Sequence, residues 1–348
     1  MAYSPIDKSS LHFKTHLYTG NGSTNAQTGV GFQPDWCWIK QSNGSSDHVL
    51  YDVVRGVTKN IHSNTNDTED TQSDGLTAFG TDGFTVGADS KSNANSGLFA
   101  AHCWKAGNSQ GSSNTDGSIN TTYTSVNSTA GFSISKYTGT GSVGTIGHGL
   151  GAVPDLIMVK RLDSASDWRV FHVTNGNTKQ LFLNDTNARD DDNTIWNDTS
   201  PTSSVFTVGT NTGGNASGGT YVAYCFTTKP GFSKFGFYKG SGNANGPFIY
   251  TGFKPAFIIV KNYEQAVNWM MWNSARNPVN KDQFFHHHPN TQDTWVDNYN
   301  RIDILSNGFK IRQNNINATE SNNTNYDHVF WAFGQTLVGS NNVPCTAR

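Results

Sequence analysis

A chain of 348 residues can bury a sizeable core, yet only 14% of its residues are charged, against roughly a quarter in ordinary soluble domains. The formal net charge is −2. No cationic cluster exceeds a pair such as Lys160-Arg161, which excludes a groove for nucleic acid. The most apolar stretch, Phe257-Ile258-Ile259-Val260, is too short to cross a bilayer, and no membrane insertion is expected. Residues Met1 to Gly20 hold no apolar core of a secretory signal, so synthesis in the cytosol is expected. With 36 glycines, abundant Asn, Ser and Thr, and 12% aromatics, the short apolar runs predict an all-β architecture with long loops.

In chain order, residues 1–16 read as an N-terminal arm. Tyr18-Thr19-Gly20-Asn21-Gly22 then opens a pattern that returns as Tyr137-Thr138-Gly139-Thr140-Gly141 and Tyr238-Lys239-Gly240-Ser241-Gly242. Next, Gly31-Phe32-Gln33-Pro34-Asp35-Trp36-Cys37-Trp38-Ile39-Lys40 is matched by the segments at 151–160 and 252–261. Each has a proline followed six residues later by Lys40, Lys160 or Lys261. The apolar run between predicts a strand buried on both faces, with the lysine marking its return to water. A third element delivers Phe84, Phe206 and Phe309 from turns, and a fourth centres on Ala101, Ala223 and Ala332. Four elements in one order, three times, predict three tandem diverged β-sandwich modules of jelly-roll or lectin-like type. Their bounds are 17–106, 131–228 and 233–338. A Ser/Asn/Gly-rich linker is expected over 107–130 and a C-terminal tail over 339–348.

Reactive groups are sparse. Cys103 and Cys225 share one place in two repeats and read as reduced, buried thiols; no CxxC pair suggests zinc. Asp190-Asp191-Asp192 reads as a solvated acidic loop and His286-His287-His288 as an exposed one, with an ion at either left open. Asp35 and Asp155 recur as Pro-Asp turns, the third copy has Ala256, and no paired carboxylates or nucleophile elbow point to an enzyme. No cofactor is expected. Trp168 and Trp269 sit at equal offsets from their prolines and are expected in cores. Trp196 and Trp295, in variable polar stretches, are the candidates for stacking on a glycan.

The Gly-Phe-x-Pro-Asp start, the Asp82-Gly83-Phe84-Thr85-Val86-Gly87 segment and the Ala101-His102-Cys103-Trp104-Lys105-Ala106-Gly107 end resemble a repeat family of tailed bacteriophages, frequent in marine phages and cyanophages. Its members are usually described as tail fibre or virion structural proteins. The resemblance covers about residues 12–338 and weakens in the third repeat, where Ala256 and Gly334 depart from the pattern. It implies a virion protein of fibre or adhesin type, self-associating as a trimer, bound to other virion proteins and presenting loops to a host-surface glycan. A decorating protein without a receptor, or a polysaccharide-cleaving tailspike, are the alternatives. It supplies no catalytic residue.

Overall fold

The protein is described here from a computed structural model covering residues 4, 6, 8–276, 280, 286–295, 301–312 and 320–336. The expected tail at 339–348 and Cys345 lie outside these residues, as does part of the arm. The chain is all-β, and each repeat folds its shared elements into one principal antiparallel sheet. In the first repeat the spatial order is Phe13–Thr19, Leu98–Trp104, Trp36–Gln41, Val49–Asp52. The third repeats it with Ser233–Lys239, Asp327–Thr336, Phe253–Asn262 and Met270–Asn273, and adds His286–His287 at the far edge. The second uses Phe132–Thr138, Thr220–Phe226, Leu156–Arg161 and Arg169–His172.

A small sheet covers the outer face of each principal one. It is built on Gly83–Val86, Val205–Val208 or Gly308–Ile311. Phe84, Phe206 and Phe309, the first and third following a glycine, sit in three separate outer cores, as expected of them. Because strand side chains alternate faces, Cys37 and Ile39 enter the outer core while Trp36 and Trp38 point the other way. A Pro–Lys strand is therefore apolar on both faces because both faces are covered.

The inner faces do not form three cores. Trp36, Trp38 and Trp104, Leu156, Met158 and Phe226, and Phe257, Ile259 and Phe333 belong to one cluster common to all three repeats. Trp104, Phe226 and Phe333 hold the same place in the three closing strands, a register that sets Ala332 level with Cys103 and Cys225 and not, as expected, with Ala101 and Ala223. The three aromatic rings form a triangle with centroids 6.4, 5.5 and 5.5 Å apart. The three principal sheets thus face a common axis, and the chain folds as an approximately threefold ring.

Two expected boundaries move. The segment 107–130 is not a flexible linker: Thr121–Asn127 is a strand on the outer edge of Phe132–Thr138, and Ile119 enters the second outer core. Tyr123 packs against the shared core and Val126 against the second outer core, and hydroxyls supply the rest. The hydroxyl of Thr124 pairs with Thr121 at 2.9 Å and Ser135 at 3.1 Å, so a polar strand is satisfied across the ladder. The arm also ends sooner, since the first strand begins at Phe13 and Ile6 is already in the shared core. The recurring Gly20, Gly139 and Gly240 have one cause. A Cβ at each would lie 2.2–2.4 Å from the carbonyl oxygen of Ala94, Ala216 or Asn323.

Candidate functional site

Three junctions, one between each pair of repeats, carry buried polar contacts, and they are related cyclically. Lys40, Lys160 and Lys261 do not return to water: all are fully buried. Lys261 Nζ donates to the carbonyls of Gln265 and Val267 in its own repeat and of Thr186 in the second. Lys160 donates to Ser166 and to Asn66 of the first repeat. Lys40 donates to Gln41, Gly44 and, in the third repeat, Gln292. The lysine leaves its strand inside a carbonyl cage that the neighbouring repeat completes. Desolvation lowers Lys40 and Lys160 to about 8 and Lys261 to about 7. Replacing Lys261 with methionine leaves three carbonyls without this donor and is expected to cost at least about 2 kcal/mol. Urea unfolding at constant m is the check.

The same loops carry a second cyclic set. Trp168 Nε1 donates to the His62 carbonyl of the first repeat, and Trp269 Nε1 to the Phe182 carbonyl of the second, both at 2.8 Å. In the first repeat this place is His48, whose Nε2 meets the His288 carbonyl of the third at 3.1 Å. Asn64, Asn184 and Asn290 brace these positions by accepting from the backbone N–H of His48, Trp168 and Trp269. Inside each repeat Asn93, Asn215 and Asn322 do equivalent work. Each accepts the N–H that follows the shared glycine, from Asn21, Thr140 or Ser241. Neither asparagine triad is conspicuous among so many asparagines, and loop insertions in the third repeat carry both off the spacing of the three lysines.

Each junction ends in a clasp. Glu69, Arg189 and Trp295 donate their backbone N–H to the carbonyls of Leu162, Tyr263 and Ser42, the residue two places after each lysine. Glu69 pairs with the buried Arg55 at 3.4 Å. The Arg189 guanidinium lies over Tyr263 at 4.9 Å. Trp295 reverses the chemistry: its ring receives the Arg276 guanidinium at 5.0 Å. The half-buried Trp295 lines a cleft of about 210 Å³ between repeats 1 and 3, with Leu17, Thr19, Ser42, Leu98 and Arg276. Of the two tryptophans expected to stack on glycan, this is the one at a surface. Trp196 is not: it is 2% exposed, in the second outer core, edge-on to Phe171 at 6.1 Å. A single helical turn, Asn193–Trp196, folds it inward beneath a polar sequence.

The histidine triplet is likewise buried. His286 and His287 form a strand paired to Met270–Asn273, and His287 Nε2 accepts from Arg276 at 2.6 Å. Asp191 pairs with Lys179, Gln180 donates to Asp190 and Asp192, and Asp192 caps the helical turn through Thr194 N. Among the described residues no group of three or more His, Cys, Asp or Glu is placed to hold a metal ion. Asp35 accepts from the N–H of Ala106 and Asn108, and Asp155 from that of Thr228. The recurring carboxylate ties each strand start to the segment after the closing strand.

The fold defines an all-β protein of paired large and small sheets without a barrel. The chain belongs to the family described as a domain of unknown function (DUF7483), which matches residues 8–336. No curated protein and no solved structure matches it.

Proposed function

We propose that the protein is a structural component of a tailed-phage particle that holds the particle to a host-surface glycan through the Trp295 cleft. Its partners in this reading are other virion proteins, further copies of the chain and the glycan. The observation that carries it is the third clasp. Where the other two junctions place Glu69 and Arg189, this one places an aromatic ring at the mouth of a cleft, beside the exposed Thr19. Ring faces and hydroxyls are what a sugar's C–H face and hydroxyl edge require. At about 210 Å³ the cleft is below the roughly 300–1,000 Å³ of drug-sized sites, so it suits one sugar ring or a chain end. The motif resemblance to phage virion proteins supports the setting.

A decorating protein without a receptor is the second reading, favoured by the clasp role of Trp295 itself. The test is binding of the full chain to host cells and isolated surface polysaccharide. Trp295→Ala is expected to weaken binding at least about tenfold, or 1.4 kcal/mol, in protein that stays folded by near-ultraviolet dichroism. Absence of binding by the unaltered chain, with immunogold placing it on the particle, would favour the second reading.

A further inference from the structure

We propose that Cys37 and Cys103 are a latent disulfide, a peroxide-responsive staple across the middle of the first repeat's principal sheet. Cys37 lies in Trp36–Gln41 and Cys103 in Leu98–Trp104, directly opposite each other. The bond from Ser42 N to the Leu98 carbonyl marks 42 and 98 as a hydrogen-bonded pair. Alternation along the antiparallel ladder then makes 37 and 103 a non-hydrogen-bonded pair. Cα atoms stand about 4.5 Å apart in such pairs, within the roughly 4.4–6.8 Å a disulfide spans. The two sulfurs already lie 3.9 Å apart in the same outer core, so rotation about the Cα–Cβ bonds suffices to join them.

The pair is peculiar to this repeat. The matching positions are Ile157 opposite Cys225 and Ile258 opposite Ala332. Both thiols are fully buried, and desolvation, then the neighbouring Cys103, pushes Cys37 well above the ordinary thiol range. While the sheet is closed the missing thiolate makes exchange and peroxide attack alike slow. Oxidation therefore proceeds through local opening, which hydrates the pair and lets a thiolate form, and a small neutral hydroperoxide is the oxidant that such an opening admits. One sulfur attacks the peroxide: an S–O bond forms, the O–O bond breaks, and a sulfenic acid and water result. The second sulfur then attacks the first, the S–S bond forms, the S–O bond breaks, and a second water leaves. In sum, two thiols lose two protons and two electrons, and one hydrogen peroxide becomes two waters. The bond would join two central strands across 66 residues of chain, limiting the freedom of the unfolded state.

The full chain, treated with hydrogen peroxide in native buffer, then denatured, alkylated and mapped by mass spectrometry, tests this. Peptides containing Cys37 and Cys103 are expected joined, about 2 Da lighter than the reduced pair. Dithiothreitol should reverse the joining, and the oxidised protein should melt higher than the reduced. Cys225, equally buried but without a partner thiol among the described residues, is the internal control and should form no joined peptide. Recovery of Cys37 and Cys103 as alkylated or separately oxidised residues, or joining of either to Cys345, would overturn the proposal. The map on the unaltered chain decides the matter without a variant that must fold.

Discussion

Trp36→Ala is expected to destabilise the entire chain by about 3–5 kcal/mol, the usual cost of emptying a large aromatic site, and to do so in a single transition. Trp36 stacks on Tyr224 at 4.7 Å, lies tilted against Trp104 at 4.4 Å, and meets Phe132 and Phe226 at 5.8 and 6.0 Å. It therefore belongs to two repeats at once. Were the repeats independent sandwiches, only the first would melt early and a second transition would stay in place. Urea unfolding followed by far-ultraviolet dichroism and by tryptophan fluorescence reads the difference. Coincident curves, both displaced, are expected; a biphasic curve would remove the shared core as the unit of stability.

The second large effect is acid sensitivity centred on His172. Its Nδ1 accepts the N–H of Thr174 and its Nε2 donates to the Phe330 carbonyl of the third repeat, both at 3.2 Å. That arrangement needs a neutral ring, and desolvation lowers the folded pKa from 6.5 to about 4, the Phe330 carbonyl opposing it. Between those pH values the unfolded chain binds a proton that the folded chain does not. Stability is therefore present above about pH 6.5 and falls as the pH drops toward 4, by about 3 kcal/mol from this residue. His102, lowered to about 3 by burial and by Arg276, falls in the same direction. His48 does as well, since its Nδ1 must accept from Trp38 Nε1. Urea midpoints at pH 7, 5.5 and 4.5 should fall in that order. His172→Asn, the residue the third repeat uses at this place, should reduce the slope. Midpoints that do not change with pH would refute the neutral assignment.

What the sequence revealed was whatever repeats in side chains that fill cores. Pro34 to Lys40 and its two matches identify a two-face-buried strand because a run apolar on both sides would expose one row of side chains to water if either face were open. Trp168 and Trp269 announced themselves by equal offsets. Lys40, Lys160 and Lys261 misled because a lone lysine after an apolar run ordinarily reaches solvent, whereas here the carbonyls that receive it come in part from a different repeat. Hydropathy carries no trace of such a partner. Trp196 and His286–His288 were misread for a related reason: their neighbours in sequence are polar, but their neighbours in space are Phe171 and Trp272. The strand Thr121–Asn127 was hidden because only Tyr123 and Val126 in it are large and apolar, and its other buried contacts are hydroxyl to hydroxyl.

The clasp positions have a consequence for how this ring can change. In an assembly of three identical chains every substitution is made in triplicate, and a residue suited to one junction must be tolerated at all three. Joined in one polypeptide, the junctions are released from that constraint. Glu69, Arg189 and Trp295 make the same backbone contact with three unlike side chains. A change at one junction therefore need not be repeated at the other two, which can keep the frame closed.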